Sequence, residues 1–154
     1  MKRIILLTLA LSAVAAAQPS CGPYSVRGTY LVTSSGWIAS GPAEGQAAAP
    51  IPAMLMGVAS VTFNGEVTMS GTVNFAGQQA EFEAEGSFDV KPDCTGSARA
   101  RVRLAGSTEW GSPMTYRIVL LPEEKEIHWF HTTPGDLGLG IWKRMSPVVN
   151  AAKW

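Results

Sequence analysis

Histidine and cysteine are scarce in this chain, at two each among 154 residues. His128 and His131 are three positions apart, so a regular strand points them to opposite faces and they do not chelate one metal ion together. No Cys/His cluster has ligand spacing. His-Glu-x-x-His, Gly-x-Ser-x-Gly and a phosphate loop are all missing, which removes the usual signatures of zinc proteases, nucleophile-elbow hydrolases and P-loop enzymes. No pair of carboxylates stands out as a glycosidase dyad. Net charge is also lacking: twelve cations balance twelve anions. That leaves no electrostatic case for nucleic acid or an anionic membrane as partner.

Long apolar runs are missing except for one. Lys2 and Arg3 precede an apolar stretch from Ile4 to Ala17, which is too short and alanine-rich for a membrane span. Ala15-Ala16-Ala17 fits a small-x-small cleavage site, so residues 1–17 read as a secretory signal peptide. Pro19-Ser20 before Cys21 is a poor lipobox, which favours a free secreted or periplasmic protein over a lipid-anchored one. Cleavage leaves 137 residues, enough for one domain with a real core. It also removes Lys2 and Arg3, so ten cations face twelve anions and the formal charge becomes −2. No membrane span is expected in the remainder. In an oxidising compartment Cys21 and Cys94 read as a disulfide closing a 73-residue separation.

Apolar–polar alternation dominates the rest, and helical periodicity is scarce. The pattern predicts eight strands, at 25–34, 54–63, 67–76, 79–90, 96–104, 113–121, 126–132 and 137–145. Turn residues separate nearly all of them. Phe82, Ala84, Gly86 and Phe88 share one face of the fourth strand, and Glu81, Glu83, Glu85 and Asp89 the other. In the fifth, Ala98, Ala100 and Val102 oppose Arg99, Arg101 and Arg103. A hairpin then lays a Glu row beside an Arg row on the solvent side. Around Asn64-Gly65, a three-residue loop pairing Phe63 with Val67 and Val61 with Met69 turns every apolar residue one way. Glycines recur in the inward rows, at Gly28, Gly57, Gly71, Gly86 and Gly140. This suits a strongly curved closed barrel better than a flat sandwich. The expected fold is all-β: a single antiparallel eight-stranded meander barrel, calycin-like, over residues 18–145, stapled by one disulfide, with a tail at 146–154. Residues 35–53, rich in Ala, Gly and Pro, read as a long loop, either a cover over a barrel mouth or a floppy insertion.

Pairing the sixth strand with the seventh across 122–125 sets Leu120 against Ile127, Ile118 against Trp129 and Tyr116 against His131. Alternation also points Tyr30 inward. Tyr30, Tyr116, Trp129 and His131 are therefore the candidate ligand-lining residues: apolar walls with a few placed polar groups. The same residues also suit a filled core in which Tyr116 and His131 bond each other or the backbone. No catalytic residue, metal ligand or cofactor is assigned, and the oligomeric state is not legible.

Several stretches resemble a group of small exported bacterial β-barrel proteins, lipocalin-like or allene-oxide-cyclase-like. They are Arg27-Gly28-Thr29-Tyr30, the run from Gly57 to Gly65, Ser70 to Asn74, Gly86 to Ser97 with its Asp93-Cys94-Thr95-Gly96 turn, and Gly140-Ile141-Trp142-Lys143-Arg144. The resemblance implies an exported barrel, and the inward aromatic row with its polar tips suits one that binds a small apolar molecule or simply serves at the cell exterior. Its enzymatic branch implies an alternative, with His131 and Tyr116 moving a proton on an apolar substrate. A third reading is a cell-surface interaction module using the 35–53 segment and the tail. Gly28-Thr29-Tyr30 with Arg144 further resembles the lipocalin Gly-x-Trp opening and its arginine, with Tyr in place of Trp.

Overall fold

A computed structural model describes residues 20–39, 50–134 and 136–146. The expected signal peptide, the middle of the 35–53 segment and most of the tail lie outside the described residues. A 3-10 turn, Pro23–Val26, leads into eight strands: β1 Gly28–Ala39, β2 Pro50–Val61, β3 Glu66–Phe75, β4 Gln78–Val90, β5 Thr95–Leu104, β6 Met114–Leu121, β7 Glu126–His131 and β8 Leu137–Arg144. Each pairs antiparallel with the next, and β8 returns to β1. Tyr30 opposite Arg144 and Trp37 opposite Leu137 mark the two ends of that closing ladder. Closure removes every sheet edge, which is the expected meander barrel.

The two ends of the barrel differ. At the end carrying the β2–β3, β4–β5 and β6–β7 turns, the 3-10 turn tucks inward and Val26 is fully buried. Cys21 bonds to Cys94 there, and the Cys21 amide donates to the Pro92 carbonyl at 3.2 Å. Asp93 organises the receiving turn by accepting from the Thr95 amide at 3.0 Å and the Thr95 hydroxyl at 2.7 Å. Those donors hold its carboxyl below the ordinary value. Above this plug sits a core of Tyr30, Val32, Val67, Phe88, Ile118 and Trp142, all buried.

Three expectations change in detail. The segment starting at residue 25 is a 3-10 turn before it is a strand. Much of the supposed 35–53 loop is sheet: Ser35 pairs with Met54, Trp37 with Pro52 and Ala39 with Pro50. Its composition concealed this, because Pro50-Ile51-Pro52-Ala53 carries two prolines and no polar residue to mark an outward face. Pro52 is tolerated because its carbonyl, which accepts from the Ala76 amide at 3.3 Å, faces away from β1. Its missing N–H points the same way, so the β1 ladder loses nothing.

The β2–β3 loop does have three residues, but they are 63–65. Val61 pairs with Val67 and Ala59 with Met69. Thr62 donates its amide to Glu66 at 2.9 Å, and Gly65 donates to Thr62 at 3.2 Å. Gly65, at φ +84°, supplies the left-handed residue that closes such a turn. The shift preserves the inward parity of the valines but leaves Phe63 in the turn, 72 % exposed. Turn geometry therefore won the register, and burial decided only which face points in.

The other register expectations hold. Glu83 pairs with Arg103 and Glu85 with Arg101, and both are ion-paired, Arg103 Nε donating to Glu83 at 2.8 Å. Trp110 lies over both guanidinium groups, 4.6 Å from the carbon of Arg103 and 5.0 Å from that of Arg101. Gly57 opposes Gly71, where a Cβ on Gly71 would fall 2.5 Å from the Gly57 Cα. Only glycine permits that approach of two strands.

Candidate functional site

Beyond the plugged end, the inward rows do not meet. They enclose a cavity of about 280 Å³ that reaches the opposite end of the barrel, between Trp37, Phe75, Leu104 and Leu137. Its floor is Phe88, Ile118 and Trp142, with the Trp142 ring 5.1 Å from that of Phe88 and edge-on. Its wall is built largely of carbon. Small residues make the room: Ala84, Gly86, Ala98 and Ala100 hold inward positions on β4 and β5 where larger side chains would meet in the middle.

Three polar rings interrupt that wall on the β6–β7–β8 side. Tyr116 opposes His131, and Ile118 opposes Trp129, as the pairing across 122–125 predicts. The Tyr116 and His131 rings lie 4.5 Å apart, Tyr116 and Trp129 5.1 Å, and Trp129 and His131 5.4 Å. Trp129 lies over Gly140, its β8 partner, where a Cβ would meet the indole at 2.6 Å. His131 lies over Gly138 in the same way, at 2.8 Å. The two glycines are thus seats for the two rings, which fixes ring orientation through the backbone.

The hydrogen bonding of this trio is incomplete. Trp129 Nε1 and His131 Nδ1 are buried and find no partner among the described residues. Among the described residues Tyr116 Oη reaches only the Met114 thioether, at 3.7 Å. A buried donor or acceptor without a partner costs about 1–3 kcal/mol, so a filled core would not leave two such nitrogens together. Burial raises the Tyr116 phenol well above its ordinary value, and the Asp136 carboxylate adds to that. Burial lowers the His131 imidazole below its ordinary value, with Asp136 opposing. At neutral pH the trio is therefore uncharged: a phenol O–H, an indole N–H and a neutral imidazole, facing carbon.

Tyr116, Trp129 and His131 all border the cavity. Tyr30 does not. It points inward as alternation requires, but it starts β1 opposite Arg144 and so lies beneath the floor. Its hydroxyl donates to the Val26 carbonyl at 2.8 Å and accepts from Arg144 Nη2 at 2.8 Å. Arg144 also donates to the Ser25 carbonyl at 2.6 Å and lies 5.4 Å from the Tyr30 ring centroid. The expected Tyr30–Arg144 pairing therefore forms, as a seal for the closed end. Sequence reading missed most of the wall, including Leu55, Met69, Phe82, Val102, Met114 and Trp142. Their alternation marks them as inward, but nothing in it marks how far the opposing rows stand apart. His128, on the outer face, bonds Glu126 at 3.0 Å. No cluster of metal-ligating side chains exists among the described residues.

No protein-family model and no curated protein sequence matches the chain. Among solved structures it is similar to a redesigned β-barrel, mFAP1, bound to DFHBI, with a TM-score of 0.52 at 16 % identity, over 80 % of this chain and 98 % of that one. At that identity the likeness concerns the fold, a closed β-barrel.

Proposed function

We propose that the protein is an exported barrel that binds a small, uncharged, mostly apolar molecule carrying a hydrogen-bond acceptor at one end. The observation that carries this is an apolar cavity of about 280 Å³ with two unpartnered ring nitrogens in its wall. Trp129 Nε1 can only donate, so its partner must be an acceptor, and Tyr116 offers a second donor. A charged ligand finds no counter-ion in the trio at neutral pH, and the Asp136 carboxylate that also borders the cavity disfavours an anion. The mFAP1 barrel, bound to DFHBI, is a precedent for a small molecule in this architecture. Export is supported by the Cys21–Cys94 bridge, which belongs in an oxidising compartment, and by the basic-then-apolar start of the chain.

Two probes of nearly one shape test the reading, benzophenone and diphenylmethane, titrated by calorimetry. Each has about 14 non-hydrogen atoms, and at roughly 0.4 kcal/mol per atom benzophenone should bind with Kd on the order of 100 µM. Diphenylmethane lacks the acceptor oxygen and should bind about 5- to 30-fold more weakly. Tyr116→Phe should narrow that gap without lowering stability. If neither compound binds, the cavity is not a binding site; if both bind equally, the polar trio is not the recognition element.

One observation also favours the catalytic alternative: Tyr116 is held protonated and His131 neutral, in ring contact, as an acid and a base would be. Recovery of bound ligand chemically unchanged after prolonged incubation decides for carriage.

A further inference from the structure

The outer surface of the barrel is divided. On β4 and β5 the outward positions carry paired Glu and Arg side chains. On β8, β1 and β2 they carry apolar ones: Leu137, Leu139 and Ile141 from β8, and Met54, Met56 and Val58 from β2, between 37 % and 74 % exposed. Between those columns, β1 contributes Leu31 and Trp37 at its ends and only Thr33 and Ser35 in its middle. Register places Thr33 between Met56 and Ile141, and Ser35 between Met54 and Leu139. Phe130 on β7 extends the patch beside Leu139. Lys143 is the one charge on the outward faces of β8, β1 and β2 among the described residues, and it lies at the plugged end within 3.4 Å of Glu126.

We infer that this face binds a second copy of the chain, as a two-fold dimer packed sheet against sheet. Half-exposed side chains of this size show on the order of 100 Å² each, so the patch offers roughly 900 Å². That exceeds the 300–600 Å² typical of the largest patch on a monomer and matches the ~800 Å² per partner of a stable complex. The relief suits self-association. The methionine column is a ridge and the Thr33–Ser35 line a shallow groove beside it. A two-fold axis places each ridge in the other copy's groove. Methionine adapts its shape to such a groove. Without an unpaired charge in the patch, meeting its own copy carries no like-charge penalty. Strand addition is excluded because a closed barrel has no free edge. A bilayer is a poorer occupant, since interfacial binders carry Lys and Arg around the apolar face, and this face has only Lys143, already paired.

Sedimentation velocity over a concentration series tests the inference. The wild-type protein should run at twice the monomer mass and stay dimeric at high salt, because the contact is apolar. Met56→Lys and, separately, Leu139→Lys keep an exposed position exposed in the monomer. Each should weaken association by about 100-fold or more, as for a charge introduced at the centre of an apolar interface. Glu83→Gln on the charged half should leave it unchanged. A wild-type protein that stays monomeric at about 100 µM, a dimer that both Lys variants leave intact, or a monomer that floats with phosphatidylcholine vesicles overturns the inference. Tyr116→Phe should dimerise normally, so failure here is separable from failure of the cavity reading.

Discussion

Replacing Ala100 with leucine distinguishes an open cavity from a filled core by the sign of its effect. Ala100 faces inward on β5, with Gly86 on one side and Met114 on the other, and lines the cavity. Leucine adds three carbons. At about 0.8 kcal/mol per buried methylene this is worth about 2.4 kcal/mol, less about 0.5–1 kcal/mol of side-chain entropy. The net gain is about 1.5 kcal/mol, which raises Tm by roughly 5 °C for a domain of this size. That is a modest share of the space: at about 24 cal/mol per Å³, an empty cavity of 280 Å³ forgoes up to about 7 kcal/mol, and water entering at the mouth reduces that figure. Urea unfolding with the disulfide intact measures the change. Benzophenone affinity should fall at least tenfold in the same variant, since the added isobutyl group occupies ligand space. Had the interior been packed solid, the three carbons would cost about 1–3 kcal/mol through strain. A destabilised Ala100→Leu protein would refute the reasoning.

Other expectations follow from the closed end and the trio. Cys21→Ser with Cys94→Ser should cost about 4 kcal/mol, because a bridge across 73 residues restricts the unfolded chain by about that much; a loss under about 1 kcal/mol in urea unfolding contradicts it. Arg144→Met strips the Ser25 carbonyl and the Tyr30 hydroxyl of a charged donor and should cost about 2 kcal/mol, with benzophenone binding retained because the cavity lies above the floor. Burial holds His131 below its ordinary value against the opposing pull of Asp136. The unfolded chain therefore binds a proton there before the folded barrel does. Stability from this group is complete above about pH 6.5 and is lost as pH falls through the folded value. Urea midpoints should thus drop between pH 7.5 and 5, and drop less in His131→Asn; equal drops in the two proteins count against a buried neutral imidazole.

Much of the fold was legible because period-two alternation is strong wherever one face is wet and the other dry. The β4–β5 hairpin, with Phe82 and Ala84 inside and Glu83 and Glu85 outside, is the clearest case: the facing Glu and Arg rows follow from the sequence, while the pairing of Glu83 with Arg103 and Glu85 with Arg101 needed the structure. The β6–β7 pairing was equally readable, and with it the meeting of Tyr116, Trp129 and His131. Alternation failed where both faces are apolar. At Pro50-Ile51-Pro52-Ala53 no polar residue marks an outward face, and sheet was read as loop. Tyr30 shows a second limit. Alternation gives direction but not height along the barrel axis, and its height depends on the β1–β8 register, set by residues more than a hundred positions apart. The cavity itself was not readable, because the distance between opposing rows depends on strand tilt and stagger around the whole closed sheet.

The most direct test of the central claim is a native mass spectrum of the protein recovered from a host that exports it. A cavity that pays the desolvation of three polar rings to stay open should carry a guest, so the spectrum should show a small neutral adduct. Organic extraction should release it, and it should be reduced in Ala100→Leu. A bare protein mass in both wild type and variant, together with no benzophenone binding, would contradict the account.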